Sequence, residues 1–261
     1  MKKVLSTLLL VSVFSNSEYV NFSELSQDIF NKSINHLKSK VSSINQDSGG
    51  MATRKVGKRI KFPINQRVLF SNRNCDKVIT DALYTSCYDY NSKISLMMHY
   101  TVDGNLLRSN YIKERPRFYG DNQINRKYRV EYSDYTHSKH DRGHIRSHAS
   151  SSWSKKSILE TYSMVNVWGQ RPNLNRIAWL KVEKYERLMA RKFGRIEVLN
   201  IADISKANKR TGKRQVLIPN GFYKVIYNNS FKRCFYYSNH NNYSITDKMK
   251  SHIVSCDRIY Y

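Results

Sequence analysis

Residues 137–144 have the sequence HSKHDRGH, and this segment carries three of the chain's eight histidines. A fourth, His148, follows four residues later. On a helix these spacings would place four imidazoles on one face, as in a metal site. Gly143 and Asp141 argue against a helix here, and no cysteine or acidic residue with ligand spacing accompanies the histidines. A zinc site built from these four histidines is therefore a minor alternative.

A helix is predicted further along the chain, from about Asn175 to Arg191. Apolar residues at 174, 178, 182, 185 and 189 follow the spacing of a buried helical face. Asn175, Trp179 and Glu183 form a separate stripe at intervals of four. The rise from Asn175 to Glu183 would be about 12 Å, so both side chains cannot bind one ion directly. Taken alone, Asn175 is equally well interpreted as a helix cap.

Four motifs follow one another along the chain: Asp141-Arg142-Gly143-His144, Asn166–Gln170, Asn175–Trp179 followed by Glu183, and Ile218-Pro219 followed by Phe222–Ile226. In this order they resemble the motifs of the DNA/RNA non-specific endonucleases, the sugar-non-specific nucleases of the ββα-metal or His-Me finger class. The resemblance covers about residues 85–240. Two departures occur: Ile145-Arg146-Ser147-His148 replaces an apolar-Ala-Pro stretch, and Gly169 replaces a proline. Neither departure touches a group with a role in the family's chemistry, so both bear on loop shape.

The resemblance implies an α+β fold, with a mixed, mainly antiparallel sheet that carries a ββα-metal module. The two strands of that module are expected near residues 140–147 and 162–168, with the helix from about 175. Runs of β-forming residues independently predict strands. These runs are Ser95–Val102, Lys127–Tyr132, Tyr162–Trp168, Phe222–Tyr227 and Phe231–Tyr237.

The same resemblance implies an endonuclease that hydrolyses phosphodiester bonds of DNA and RNA and leaves 5′-phosphate ends. Mg²⁺ is the expected cofactor, with Mn²⁺ as a substitute. His144 would be the general base, which suits a neutral imidazole near pH 7, and activity would fall as the pH drops through about 6.5. Asn175 would be the one protein ligand of the metal, and Glu183 would hold a metal-bound water.

Three further side chains are candidates for the site. An arginine upstream of the histidine motif would stabilise the transition state, and Arg115 is preferred over Arg117 for that role. Arg142 would grip a phosphate through its planar fork. Asn166 would hold His144 or the substrate. Without the family resemblance, each of these would be interpreted as a solvated or structural side chain.

The chain's charge points to a polyanionic partner. Among 261 residues, 45 Lys and Arg face 20 Asp and Glu, for a net charge of +25. Basic residues outside the site would neutralise phosphates with little regard for sequence, and Tyr128, Tyr132, Tyr135 and Trp153 are candidates to stack bases. The alternative function is a catalytically silent nucleic-acid-binding protein on the same scaffold. An aromatic fraction of 12% excludes a disordered chain, and no apolar run reaches the ~18 residues of a membrane span.

The N-terminal sequence predicts export. Lys2 and Lys3 precede an apolar stretch, Val4–Phe14, and small residues follow it, so residues 1–17 are typical of a signal peptide and the mature chain would be periplasmic or extracellular. A buried N-terminal strand is the alternative. Residues 18–61 are predicted to form an amphipathic helical arm and a basic linker, and residues 62–261 the endonuclease domain. Self-association through the arm, a homodimer, an inhibitor protein and an interaction protein acting through the arm stay open.

Four cysteines in an exported chain favour two disulfides. Three pairings are possible. The pairs Cys75–Cys87 and Cys234–Cys256 close the shortest loops and are preferred for that reason.

Overall fold

The computed structural model describes residues 58–109 and 111–261. The predicted signal peptide at 1–17 and most of the arm and linker at 18–61 lie outside the described residues. Among the residues that are described, no helix has the length and apolar character needed to cross a bilayer.

The fold is built on a seven-stranded antiparallel sheet. Its strands are β1 (Lys77–Thr80), β2 (Thr85–Asp89), β3 (Ile94–Asp103), β6 (Arg195–Asp203), β9 (Gly221–Tyr227), β10 (Lys232–Ser238) and β11 (Ile253–Val254), adjacent in that order. Two short antiparallel pairs accompany it: β4 (Asp141–His144) with β5 (Val167–Gln170), and β7 (Arg210–Thr211) with β8 (Val216–Leu217). This arrangement confirms the predicted α+β class with a mainly antiparallel sheet.

Three α-helices lie in the described residues: α1 (Gln66–Leu69), α2 (Lys155–Thr161) and α3 (Leu180–Phe193). A π-helical turn, Leu174–Trp179, leads directly into α3. The predicted helix from Asn175 is therefore present, but Asn175 lies in the wider turn. Such turns are rare and are frequently found at functional sites.

Successive residues of each strand point to opposite faces of the sheet, and a hydrophobic core covers each face. On β3, Met98 and Tyr100 belong to the core that contains α3 and the β4–β5 pair, whereas Met97 belongs to a second core. The second core packs under the segment around Ile60 and both disulfides.

The disulfides are Cys75–Cys87 and Cys234–Cys256, which confirms the predicted pairing. The first joins the segment before β1 to β2. The second ties β10 to the C-terminal segment. Both cross-links thus fasten peripheral chain to the face of the sheet opposite α3.

A buried polar network joins the sheet to α3. Lys224 of β9 and Glu186 of α3 are fully buried, and their Nζ and Oε2 atoms lie 2.7 Å apart. The Tyr100 hydroxyl donates to the same carboxylate oxygen over 2.9 Å and accepts from Lys224 over 3.0 Å. Asn200 of β6 donates to the Tyr100 hydroxyl and to the backbone oxygen of Ile145. Three strands, the helix and the residue after His144 are therefore held by one hydrogen-bonded cluster.

Two strand predictions require correction. The prediction of a strand at Lys127–Tyr132 is wrong: Asn125 caps a turn through Lys127, and Tyr128 stacks on Tyr90 at 4.1 Å. The predicted strand at Tyr162–Trp168 begins only at Val167, because a 3₁₀ turn occupies Met164–Asn166. In both cases local side-chain hydrogen bonds satisfy the backbone that a strand would have paired.

Lys224→Met is expected to lower the free energy of unfolding by about 3–5 kcal/mol, because it leaves the Glu186 carboxylate buried without its counter-charge. Urea unfolding of the oxidised protein measures the loss. Adding Glu186→Leu should recover much of it. Lys155→Met is the control, since Lys155 and Glu114 form an exposed pair at 3.8 Å, and it should cost far less. Equal losses in the two lysine variants would contradict the proposed role of the buried pair.

Candidate active site

A pocket of about 480 Å³ lies between the β4–β5 pair, the π-helical turn and the irregular segment 111–118. It brings together four of the six predicted site residues: His144, Asn175, Arg115 and Arg142. Arg117 and Arg176 line it as well, and Asp141 supplies the one carboxylate among the described residues of the lining. This excess of positive charge suits a phosphate group.

His144 is the last residue of β4 and pairs with Val167 of β5. The residue before it must be glycine, because a Cβ at Gly143 would overlap the buried side chain of Gln170. Rings of Phe118 and Tyr162 flank the imidazole at centroid distances of 5.1 and 5.0 Å. The antiparallel β4–β5 pair thus sets the imidazole into an aromatic wall of the pocket.

The His144 ring is partly exposed to the pocket, but its Nε2 atom is buried. Burial, reinforced by the nearby His148 and the charge of Arg115, lowers the pKa of His144 to about 3. The imidazole is therefore neutral at pH 7, as a general base must be. The pH at which it gains a proton lies well below the sequence-based expectation of 6.5, which is corrected accordingly.

Asn175 is oriented by an aspartate. Its Nδ2 atom donates to Oδ2 of Asp141 over 3.0 Å, and a carboxylate can only accept, so the amide nitrogen must face Asp141. Arg176 holds Asp141 in place with two hydrogen bonds of 2.8 Å. In the described part of the chain, no hydrogen bond engages the Asn175 Oδ1 atom, which leaves it available as a ligand.

The arginines differ in their surroundings. Arg115 is exposed, yet its charge affects the pKa values of His144, His148 and Tyr162, whereas Arg117 has no such influence. This favours Arg115 over Arg117 as the arginine that interacts with His144. Arg142 stacks on the ring of Tyr132 at 3.5 Å and donates to the Tyr132 backbone oxygen. Its guanidinium plane is thereby fixed at the rim of the pocket.

Two predicted site residues lie outside the pocket lining. Asn166 is fully buried, and its amide bonds the backbone of Arg146 and the oxygen of Thr161. It therefore holds the segment after His144, with no contact to the pocket. Glu183 lies in the first turn of α3, where burial raises its pKa to about 7 against the opposing charge of Lys224.

The histidine cluster does not form a metal centre. Residues 58–109 and 111–261 contain no group of three or more His, Cys, Asp or Glu side chains arranged to hold a metal ion. His137 sits in a turn with positive φ, His140 bonds the Ser138 backbone, and His148 is buried behind Tyr162. The four histidines are therefore distributed over a turn, strand β4 and a 3₁₀ turn, and do not share one face of a helix.

A model of the DNA/RNA non-specific endonuclease family matches residues 64–259, about three quarters of the chain. The chain belongs to this family. The mitochondrial endonuclease G of Bos taurus is 29% identical over 155 residues, and that of Homo sapiens is 29% identical over 153 residues. These alignments cover 56% and 55% of this chain and 52% of each relative, so the chain spans about half the length of the curated relatives it matches.

The fold is also found among solved structures. A chain from a crystal structure of an EndoG/EndoGI complex, described in terms of the mechanism of EndoG inhibition, aligns with a TM-score of 0.63 and 21% identity. The alignment covers 68% of this chain and 80% of that chain. At this identity the likeness concerns the fold of the endonuclease family.

Sequence reasoning missed the functional surroundings of the motif residues. Asp141 stands in the motif itself, but its role in orienting Asn175 depends on a contact across 34 positions of sequence. Tyr162 and Arg176 were not singled out, although both line the pocket. Arg176 directly follows Asn175, and this adjacency was the available signal.

His144 is expected to make the protein acid-sensitive. Its pKa is lowered in the folded state, so below about pH 6.5 the unfolded chain binds a proton that the folded chain does not, and stability falls as the pH decreases. Urea unfolding of the parent and of His144→Gln from pH 7 to pH 4 measures this. The parent should lose up to about 1.4 kcal/mol more per pH unit than the variant below pH 6. A constant gap between the two curves would contradict it.

Proposed function

We propose that this chain is a Mg²⁺-dependent, sequence-non-specific endonuclease that hydrolyses phosphodiester bonds of DNA and RNA. One observation carries the proposal: a neutral imidazole and an unengaged amide oxygen, from His144 and Asn175, line the same arginine-rich pocket. Membership of the endonuclease family supports the reaction class.

In this proposal the arginines bind the phosphate. Arg115 and Arg142 would donate to its non-bridging oxygens, and their charge would become more favourable as negative charge builds up in the transition state. Arg142 is pre-oriented by Tyr132, so little freedom is lost on binding. Arg115 lies on irregular backbone, and its placement depends on neighbouring residues.

His144 would act as the general base. Its imidazole is uncharged in the free protein, and the aromatic rings beside it keep its second nitrogen away from water. It would accept a proton from the attacking water molecule. The register of the β4–β5 pair and the absence of a side chain at Gly143 fix the position of His144 in the pocket.

The donor set fits a divalent cation that retains most of its waters. Asn175 Oδ1 is a single neutral oxygen ligand, and Mg²⁺ binds few protein groups and keeps several waters, with Mn²⁺ as a plausible replacement. When bound, such an ion would neutralise phosphate charge and stabilise the leaving oxygen. Asp141 and Arg176 would orient the ligand, as outer partners of metal ligands commonly do. We assign no contact with the ion to Glu183.

Low sequence specificity is supported by the kind of groups around the pocket. Phosphate-binding arginines carry no base information. Tyr132 is 49% exposed beside the pocket and can stack any base. Tyr135 is buried and Tyr128 stacks on Tyr90, so neither serves as the base-stacking surface expected from the sequence.

The compartment, products and partners extend this proposal. Two disulfides and the N-terminal sequence support export to the periplasm or the exterior. Cleavage that leaves 5′-phosphate ends is proposed from the family resemblance. A solved relative in complex with EndoGI supports an inhibitor protein as a partner of this chain as well. A homodimer stays a prediction.

Purified protein is expected to cut plasmid DNA and RNA with Mg²⁺ and to lose this activity in EDTA. His144→Ala should lower the rate by at least about 10²-fold, because the base is lost, while DNA binding persists. Gel analysis of cleavage and a filter-binding assay measure the two properties. If the parent shifts DNA without cutting it in any divalent metal, the protein is a nucleic-acid binder and the proposed activity is wrong.

Asn175→Ala is expected to raise the Mg²⁺ concentration for half-maximal cleavage by about tenfold or more. Titration of Mn²⁺ followed by electron paramagnetic resonance gives a readout that is independent of activity, and it should show weaker binding. Asn173→Ala is the matched control, since Asn173 caps the π-helical turn and bonds Asn242. Equal metal affinity in the parent and Asn175→Ala would remove Asn175 from the metal site.

A further inference from the structure

Arg115 lies on a segment with no regular secondary structure. Residues 111–118 have neither helix nor strand geometry, and Arg115 itself is exposed. Its catalytic use would require a fixed position, because small misplacements of a reacting group cost large factors in rate. The question is therefore which residues hold this segment.

Both ends of the segment are fastened to the region around His148 and Tyr162. At one end, the Ile112 oxygen lies 3.3 Å from Nε2 of His148, and the Ile112 N–H donates to Ser152. At the other end, the Tyr119 N–H donates to the backbone oxygen of Tyr162 over 3.1 Å. Arg115 thus lies between two anchors, one on the His148 side chain and the Ser152 backbone, the other on the Tyr162 backbone.

The pair itself is hydrogen-bonded. The Tyr162 hydroxyl lies 3.3 Å from Nδ1 of His148, and both residues are buried, with exposures of 3% and 6%. Tyr162 also lines the pocket beside His144. The Tyr162 ring packs on the ring of Phe118, with 4.7 Å between the centroids. Phe118 belongs to the same segment as Arg115.

The direction of these hydrogen bonds follows from the chemistry of the groups. Burial and the charge of Arg115 lower the pKa of His148, so its ring is neutral at pH 7. The Ile112 oxygen can only accept, which places the imidazole proton on Nε2 and leaves Nδ1 as an acceptor. The Tyr162 hydroxyl must then donate to Nδ1, and its oxygen is left to accept a hydrogen bond.

Arg115 is the neighbouring donor. Burial raises the pKa of the Tyr162 hydroxyl, and the charge of Arg115 and a hydrogen bond from it oppose that rise. Arg115 and Tyr162 line the same pocket, so the guanidinium is within reach of the hydroxyl oxygen. His148 belongs to the stretch Ile145–His148, where the sequence departs from the expected family motif.

We propose that His148 and Tyr162 form a positioning pair that holds Arg115 in the phosphate-binding pocket. The proposal rests on the proposed nuclease function. His148 fixes the backbone of the segment at Ile112 and fixes the Tyr162 hydroxyl, and that hydroxyl accepts from Arg115. Neither His148 nor Tyr162 is required to touch the substrate.

Tyr162→Phe tests the proposal, because it removes the hydroxyl and keeps the ring. The expected result is a fall in kcat for plasmid cleavage of about tenfold, with KM and Tm close to those of the parent. Tyr260→Phe is the matched control, since it removes a hydroxyl from an exposed tyrosine outside the pocket lining, and it should cleave at the parent rate. An unchanged kcat in Tyr162→Phe, in a parent that cuts DNA, would overturn the proposal.

Double variants separate positioning from a general structural effect. In an Arg115→Ala background, Tyr162→Phe should cause no further loss, because the group it positions is gone. In an Arg117→Ala background, the full tenfold loss should remain. Equal losses in both backgrounds would show that the hydroxyl does not act through Arg115 and would overturn the proposal.

His148 is tested by two replacements. His148→Asn keeps an acceptor near the position of Nδ1 and should retain more activity than His148→Leu, which has no hydrogen-bonding group. If His148→Leu does not fold, the Tyr162 series decides the question alone. A parent that cuts no nucleic acid would instead refute the proposed function, an outcome distinct from those above.

Discussion

The buried ion pair between Lys224 and Glu186 is the interaction on which the geometry of the pocket depends. An unpaired charge in this core would cost several kcal/mol, so β9 and α3 are constrained to the one register that brings the two side chains together. The same carboxylate accepts from Tyr100 of β3 and from Ser150, which lies six residues after His144, the last residue of β4. Burial opposes ionisation of Glu186, but Lys224 outweighs it and keeps the pKa of the carboxyl below its ordinary value. The sheet, helix α3 and the segment after β4 are therefore held together by contacts with the two carboxylate oxygens of Glu186.

The position of His144 follows from that frame. Asn200, part of the buried network, donates to the backbone oxygen of Ile145, one residue after His144. On the opposite side, the β4–β5 pair aligns His144 with Val167 and leaves no room for a side chain at Gly143. The result is an imidazole held against aromatic rings, with its Nε2 atom away from water and the ring partly open to the pocket. Burial keeps the imidazole neutral and so able to accept a proton. The same burial lowers the stability of the folded protein as the pH falls, because the unfolded chain binds the proton more readily.

How much was predictable depended on whether an interaction was local in sequence. The helix after residue 174, the strands at β3, β9 and β10, and the disulfides follow from periodicity, composition and loop length. The Lys127–Tyr132 strand was wrong because the turn at Asn125 and the Tyr90–Tyr128 stack override a β-rich composition. The family resemblance placed His144 and Asn175 in one site, but it could not show that Asn166 is buried and that Glu183 lies off the pocket lining. Those outcomes depend on contacts between distant segments.

The stretch that departs from the family pattern shows how such contacts alter a site without altering its fold. An apolar stretch would fill this region by packing alone, whereas Arg146, Ser147 and His148 are polar and buried. Each is satisfied: Arg146 bonds Leu83 and Ser151, Ser147 bonds Ser150, and His148 bonds Ile112 and Tyr162. Hydrogen bonds specify direction, which packing does not. The polar stretch therefore gives the segment 111–118 a defined attachment beside His144. In the proposed arrangement, the buried residues His148 and Tyr162 determine where the exposed Arg115 lies.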